Sequence, residues 1–415
     1  MKPFLAGGLL LLSACSTLDG GDGVPLVPPV RDWIAPSAAA GDPERLAAAF
    51  PDSAAVRLRL LNAQIQAGDS AKAGQTLTWL AERGHVFSPA SRERLRALAA
   101  QTGLPDEALA KTAHPISASR ELANVPVAAQ LVESVARDTQ RDRLFATTVV
   151  SRQLWTRDAN GAWSPVPIAK TDSLSGMAID LQAQLLWVSS ANLGMGQGPV
   201  DAFHGLIAVD LKTLKEVRRV AAPDGVNPSD LTVGCKGEVF TSDPVGGGIY
   251  RARPGDTALT QLVAPGTLRS PQGLAQSADC RILYVSDYGY GLAAIVLDSG
   301  RLLSLSGIGN LPVPLDGIDG LWRAGNDLIA VQNGTSPRRI LRLGIAYGGA
   351  GIARAEVLEQ AHPVWTEPLS GSIDGQSLIY VANGQWDSFD KGKPVAGSTP
   401  AATNLRILPL RKTNH

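Results

Sequence analysis

Oxygen-bearing side chains recur at equivalent points of a phrase that the chain repeats. The phrase is clearest in Ser270–Gly291, SPQGLAQSADCRILYVSDYGYG, where a small-residue turn precedes two short apolar strands joined by a polar turn. Looser copies begin, in chain order, at Glu133, Ser175, Pro228, Asp316 and Pro368. The copies start roughly 40–50 residues apart, a spacing typical of propeller blades.

The polar residues that open and close each phrase could bind a cation. In a propeller blade the innermost strand runs from one face of the disc to the other and the second strand returns, so both positions lie at one channel mouth. The opening residues are Glu133, Ser175, Ser229, Gln272 and Asp316, and the closing residues are Asn192, Asp243, Asp287, Asn333 and Asn383. Calcium takes six to eight such oxygens. Asp and Asn are also ordinary turn formers, which is the alternative explanation for each closing residue.

The chain is predicted to be mainly β, with a six-bladed β-propeller at residues 117–415. From Ser119 onward there is almost no helical periodicity, and short β-branched or aromatic runs are separated by Gly, Pro, Asp and Asn. We expect Asn404–Leu410 to pair with a strand from the start of this domain, because that pairing would close the ring and hide most sheet edges.

A small α-helical segment is predicted at residues 42–116. Its stretch Ala54–Gly84 resembles a tetratricopeptide hairpin, with two helices around a Gly-Asp turn. Such repeats normally need neighbours to bury their apolar faces, and one unit is recognisable here. The segment is therefore either a platform for an envelope protein partner or a cap packed against the propeller.

The first residues are predicted to be a targeting signal rather than part of the fold. Lys2 precedes an apolar run, and Leu12-Ser13-Ala14-Cys15 resembles the bacterial lipobox. The resemblance implies a signal peptide at 1–14, lipidation of Cys15 and a flexible tether at 15–41. Ser16 is not the Asp that retains enterobacterial lipoproteins at the inner membrane. We therefore expect an outer-membrane lipoprotein that faces the periplasm.

Charge and cysteine content narrow the function classes further. Lys+Arg and Asp+Glu both number 38, so net charge gives no reason to expect nucleic acid as a partner. Cys235 and Cys280 fall at the turns between the first and second strands of adjacent blades. An oxidising periplasm would permit a disulfide there, and the alternative is two independent cysteines.

At its repeated phrases the chain resembles the gluconolactonase and senescence-marker-protein superfamily of six-bladed propellers. The likeness covers nearly the whole predicted propeller and rests on the pattern x-G-[ILM]-A…[LI]-[YW]-V, best seen in Gln272–Val285. In that superfamily a divalent cation, usually calcium, lies in the central channel and activates a lactone or phosphoester. The resemblance implies Glu133 and Asp316 as metal ligands. Gln272 and Ser229 stand where Asn or Asp is usual.

These departures leave two functions open. A Gln side chain is one methylene longer than Asn, a Ser hydroxyl binds calcium poorly, and strand alternation predicts that Asp230 points away from the channel. Our first hypothesis is a lipid-anchored protein that binds a ligand or partner at the mouth through Ser175, Ser229, Asp243, Asp287, Asn333 and Asn383. The alternative is a calcium-dependent lactonase or esterase with Glu133, Gln272 and Asp316 as metal ligands.

Overall fold

The structure is a computed structural model that describes residues 30–104, 106–196, 198–346 and 348–410. Cys15 and the predicted signal peptide lie outside the described residues. Strand β1 (Arg31–Asp32) pairs with the outer edge of one sheet, and the Trp33 indole Nε1 donates to the Thr267 carbonyl at 3.0 Å. The prediction of a flexible tether through residue 41 is therefore wrong for its last part, because these bonds hold it against the propeller.

Five α-helices follow among the described residues: α1 (Pro43–Ala49), α2 (Ala54–Gln66), α3 (Ser70–Glu82), α4 (Pro89–Thr102) and α5 (Asp106–Ala110). Side chains of Asp42, Ser53, Asp69 and Ser88 accept backbone N–H bonds at the first four helix starts, and such caps favour helix initiation. No helix in the described part of the chain is long and apolar enough to cross a membrane.

The strands of the described residues form six sheets of at least four strands each and one two-stranded hairpin. After β2 (Arg120–Val125), blade one contains β3 (Val132–Asp138), β4 (Arg143–Thr148), β5 (Leu154–Arg157) and β6 (Trp163–Val166). Blade two contains β7 (Ser173–Asp180), β8 (Leu185–Ala191), β9 (Gly205–Asp210) and β10 (Glu216–Ala221). Blade three contains β11 (Leu231–Val233), β12 (Val239–Asp243), β13 (Gly248–Ala252) and β14 (Thr260–Val263).

The second half of the chain repeats this order. Blade four contains β15 (Pro271–Gln276), β16 (Ile282–Asp287), β17 (Gly291–Val296) and β18 (Arg301–Leu305), with β1 as a fifth strand. Blade five contains β19 (Ile318–Ala324), β20 (Asp327–Gln332), β21 (Arg339–Ile345) and β22 (Ile352–Gln360). Later come β23 (Gly371–Asp374), β24 (Ser377–Val381), a hairpin of β25 (Phe389–Asp390) and β26 (Lys393–Pro394), and β27 (Thr403–Pro409).

The ring closes through strands from both ends of the domain. Blade six has the order β2-β27-β24-β23, so the first strand of the domain lies on its outer edge, next to β27. Each inner strand packs against the inner strand of the next blade, and β23 packs against β3. The six-bladed propeller predicted from the repeats is therefore confirmed, and the expected pairing of Asn404–Leu410 is present.

Apolar side chains fill the spaces between neighbouring blades. Between blades three and four, for example, Phe240, Leu283 and Ile295 are completely buried. At the turns of the same two blades, Cys235 and Cys280 are joined by a disulfide, with their Cα atoms 6.0 Å apart. This bond adds a covalent connection to a contact that is otherwise made of side-chain packing.

The helical segment is fixed to the propeller by buried hydrogen bonds. The carboxylate of Asp316, which is 2% exposed, accepts from the backbone N–H groups of Ala54 and Ala55, each at 2.8 Å. The Asp52 carbonyl accepts from the Leu315 N–H at 2.9 Å. Because these bonds lock the start of α2, the structure favours the cap over a freely mobile platform.

Replacing Asp316 with Asn should weaken this attachment. The new amide nitrogen would face one of the two N–H groups that the carboxylate now satisfies. An unsatisfied buried donor costs about 1–3 kcal/mol. We expect the free energy of unfolding in urea to fall by about that amount, and limited proteolysis to release the helices more readily. The matched control is Asp298→Asn at an exposed turn of blade four; equal stability of the two variants would contradict the prediction.

Candidate functional site at the channel mouth

A cavity of about 390 Å³ lies at the channel mouth where the inner strands begin. Polar and aromatic side chains from all parts of the ring meet there: Glu133, Ser229, Ser270, Gln272, Tyr288, Asp319, Asn333, Glu367 and Trp386. None of the residues that line it, within the described ranges, is basic. The mouth is thus an acidic, partly aromatic pocket.

Four carboxyl groups from different blades determine its electrostatics. Glu133 lies in β3, Asp230 directly precedes β11, Asp319 lies in β19 and Glu367 lies shortly before β23. Burial raises the pKa of Asp230 to about 8 and that of Asp319 to about 7, and repulsion by neighbouring carboxylates adds to both shifts. The pKa of Glu133 is also raised well above its usual value, chiefly by burial and then by the charge of Asp319. Negative charge at this mouth is therefore poorly compensated.

Two aromatic side chains orient polar groups in the pocket. The Trp386 indole, from the long connection between β24 and β27, donates to Glu133 Oε2 at 2.7 Å. The Tyr288 hydroxyl donates to Asn333 Oδ1 at 2.9 Å, while Asn333 Nδ2 donates to Asp319 Oδ2 at 2.9 Å. These bonds hold one acid on each side of the channel in a fixed position.

Irregular starts of the inner strands explain how these acids reach the channel. The pairing register shifts near the beginning of β3, β7, β15 and β19, and such a bulge re-aims a side chain. Glycines permit the close approach of neighbouring strands here. A Cβ on Gly176 would lie 2.5 Å from the Ser229 carbonyl oxygen, and one on Gly273 would lie 2.3 Å from the Leu321 nitrogen.

The structure places part of the predicted site at the mouth. Glu133, Ser229, Gln272 and Asn333 all line the cavity, and Gln272 Nε2 donates to the Ser270 hydroxyl at 3.2 Å. Asp316 does not join them, because both of its oxygens cap helix α2. Its prediction as a metal ligand is corrected by this geometry.

The other predicted ligand residues have local structural roles. Asp243 Oδ1 accepts from the N–H groups of its own turn, and Asn383 Oδ1 accepts from the Asn404 N–H. Ser175 is buried and its hydroxyl lies 2.9 Å from that of Ser189. Asp287 Oδ2 accepts from a backbone N–H of the preceding loop. The turn-former explanation therefore suits Asp243, and the mouth cavity includes none of these four side chains.

Sequence reasoning missed several residues that shape the mouth. Asp316 opens the phrase and Asp319 lies three positions after it, at the register shift in β19, so the sequence pointed to the wrong one of these two acids. Asp230 was expected to point away, yet its charge raises the pKa of Glu133. Glu367 precedes the inner strand β23, and Trp386 belongs to the long connection between β24 and β27. Neither position is marked by the repeated phrase.

The residues present do not form a ready calcium shell. No three His, Cys, Asp or Glu side chains in the described part of the chain come together as a metal-binding group. Two candidate oxygens, Glu133 Oε2 and Asn333 Oδ1, already accept hydrogen bonds. The oxygens that remain do not form the shell of six to eight that calcium takes. Calcium as a cofactor therefore remains a proposal.

Solved structures of other proteins resemble this chain at low sequence identity. No protein-family model and no curated protein matches the sequence. Among solved structures, a gluconolactonase from Xanthomonas campestris is 17% identical, with a TM-score of 0.45 over 72% of this chain and 98% of that one. A PQQ-bound aldose sugar dehydrogenase from Streptomyces coelicolor is 13% identical (TM-score 0.46, covering 71% and 99%). Virginiamycin B lyase from Staphylococcus aureus is also 13% identical (TM-score 0.46, covering 72% and 99%).

These similarities concern the fold and say nothing about the activity of this chain. The TM-scores lie below 0.5, so the propeller assignment rests on the six sheets and the closed ring of inner strands. Gluconolactonase-like propellers are among the neighbours, as the sequence resemblance led us to expect.

The raised carboxyl pKa values predict an unusual pH dependence of stability. Asp319 and Asp230 hold protons in the folded protein up to about pH 7 and 8. In the unfolded chain both are ionised above about pH 4. The folded state therefore binds more protons across this window, and its stability should fall as pH rises. We expect the melting temperature to decrease from about pH 6.5 to 8.5, where the low-pKa histidines are already neutral.

The variant Asp230→Asn isolates this effect. It removes one of the titrating groups, so the melting temperature should fall less steeply and should exceed that of the original protein at about pH 8.5. Asp298→Asn at the exposed turn serves as the matched control. A melting temperature that rises with pH in both proteins would contradict the electrostatic description of the mouth.

Proposed function

We propose that the protein binds a ligand that brings positive charge into the channel mouth. The observation that carries this proposal is the cavity itself, where carboxyl groups from blades one, five and six meet without a basic side chain among the lining residues. Burial, and after it repulsion between the carboxylates, raise the pKa of Asp319 and Glu133, and a bound cation would relieve the repulsion. Tyr288 and Trp386 would contact the apolar part of an organic ligand.

The second candidate function is a lactonase or esterase that depends on a divalent cation. It is favoured by Glu133 of blade one and Asp319 of blade five, because the charge of Asp319 contributes, after burial, to the raised pKa of Glu133. Gln272 and Ser229 supply further oxygens at the same cavity. Because the donors are not gathered around one point, we assign no catalytic step to this candidate.

Melting temperatures with added cations test the proposal. A cation that binds only the folded state adds about 2.7 kcal/mol of stability at a hundredfold excess over its dissociation constant. We expect calcium chloride or the diamine putrescine to raise the melting temperature, and Asp319→Asn and Glu133→Gln to lose that shift. Asp316→Asn is the matched control and should keep it, since that carboxylate lies away from the mouth cavity.

The two probes separate the candidates. A shift with calcium that exceeds the shift with magnesium favours the metal-dependent enzyme and directs assays to lactone and aryl-ester substrates. A shift with putrescine alone favours binding of an organic cation. If neither probe changes the melting temperature at millimolar concentration, the proposal is contradicted.

We also propose that the protein is attached to the outer membrane through lipidated Cys15. The support is the sequence Leu12-Ser13-Ala14-Cys15 and the acyl chains that such a Cys would carry, since stable anchoring needs more than one chain. The variant Cys15→Ala should move the protein from the membrane fraction to the periplasmic fraction, with Ser16→Ala as the control. Membrane association of Cys15→Ala equal to that of the control would contradict lipidation.

A further inference from the structure

A second cavity, of about 690 Å³, lies beside the channel mouth and is built by both parts of the protein. The first turn of α2 and His85 of the helical segment form one side of this space. The loop Asn333–Arg338 of blade five forms the other side, together with Ala361 and the following residues up to Trp365. We call this space the lateral cleft. Asn333 lines both the lateral cleft and the mouth cavity, so the two adjoin at this residue.

The backbone that presents the cleft's polar groups is fixed. The Ser336 carbonyl accepts from the Val86 N–H at 2.9 Å, which ties the loop of blade five to the helical segment. The Arg338 carbonyl accepts from the Ala361 N–H at 3.1 Å. The first bond joins the two walls of the cleft, and the second holds Arg338 in place within its own wall.

Arg338 supplies the positive charge that a ligand would meet. It is exposed, and no hydrogen bond or ion pair of its guanidinium occurs within the described ranges. Burial raises the pKa of Glu367 at the mouth, and the positive charge of Arg338 opposes that shift. The adjacent Arg339 is 2% exposed and donates to the Gly84 carbonyl and to Gln360, which are neutral partners. Arg338 is thus the exposed cation among the lining residues, while the lining carboxylate, Asp316, is occupied by the N–H groups of α2.

The other groups of the cleft cannot replace Arg338 as an anion partner. The first N–H groups of α2 are already bonded to Asp316. Burial lowers the pKa of His85 to about 4, and burial also lowers the pKa of His362, so both imidazoles are neutral at neutral pH. An anionic group in the cleft would thus find its charged partner in Arg338.

Trp365 adds an apolar surface next to this charge. Its Nε1 donates to the Tyr380 hydroxyl at 3.1 Å, so the indole has no polar group left for a ligand. The His362 ring lies 5.8 Å from it between centroids. What Trp365 offers to the cleft is the face or edge of its ring, which suits a flat or ring-shaped apolar surface.

We propose that the lateral cleft binds a carboxylate-bearing ring compound, with the carboxylate on Arg338 and the ring against Trp365. The chemistry fits a sugar acid and an aromatic acid equally, and the experiment distinguishes them. This subsite extends the proposed binding function, because a ligand seated here would reach the acidic mouth past Asn333. It does not depend on cation binding at the mouth.

Isothermal titration calorimetry on the full chain tests this subsite with two pairs of probes. Glucuronate is compared with glucose, and 4-hydroxybenzoate with 4-hydroxybenzyl alcohol. We expect one acid of the two pairs to bind at least about tenfold more tightly than its neutral counterpart, which corresponds to one charge-assisted hydrogen-bonded contact. Binding should weaken with added salt, because Arg338 is exposed.

Variants assign the binding to the cleft. Arg338→Gln should lower the affinity for the acid at least about tenfold, and Trp365→Leu should lower the affinity for the acid and its neutral counterpart alike. Arg323→Gln is the matched control, because Arg323 is an exposed arginine at the opposite end of the channel. The calorimetry is run without added calcium or putrescine, so its outcome does not depend on the cation site.

Three results would overturn the proposal. They are binding of neither acid at millimolar concentration, equal binding of acids and neutral counterparts, and affinity for the acid that survives Arg338→Gln. A loss of acid binding in Arg338→Gln, at a melting temperature equal to that of Arg323→Gln, supports it.

Discussion

The antiparallel pairing of β2 with β27 is the contact on which the rest of the structure depends. It joins Arg120–Val125 to Thr403–Pro409 and so brings the first and last strands of the propeller into one blade. Without it, blade six would lose its outer strand and the inner strands would not form a closed ring. Because the mouth residues come from separate blades, their distances are fixed only when this long-range pairing has formed. The site is therefore a property of the whole ring rather than of any local motif.

The acidic groups at the mouth lower the stability of that ring. Carboxyl groups that are removed from water and face one another favour unfolding when ionised, and the raised pKa values of Asp230 and Asp319 record this cost. Asp316 is more deeply buried, and burial raises its pKa as well, but the helix N–H groups that bond to its oxygens oppose that shift. The carboxylate of Asp316 thus contributes to assembly, while the mouth acids lack comparable partners. Acids with a perturbed pKa in a cavity are a reason to look for a ligand there.

The sequence predicted the architecture better than the site because the two depend on different information. Strand alternation and turn residues recur with each blade, so the copy in Ser270–Gly291 was enough to place two strands and their neighbours. The choice between Asp316 and Asp319 depended on a bulge at the start of β19, which no residue pattern marks. The actual partners of Asp316 lie 261 to 263 residues away in a helix. Such a contact follows from tertiary packing and could not be read from the repeat.

The position of the helical segment connects these observations. Asp316 and the Ser336 carbonyl accept hydrogen bonds from backbone N–H groups of the helical segment. These bonds hold the helices beside the mouth, where they form one wall of the lateral cleft. A propeller without them would present an open acidic mouth to the solvent. With them, the approach from this side passes a guanidinium and an indole before it reaches the carboxylates. Charge of opposite sign on the two sides of Asn333 favours a ligand that is itself dipolar, and selection of that ligand would then depend on the helices as much as on the blades.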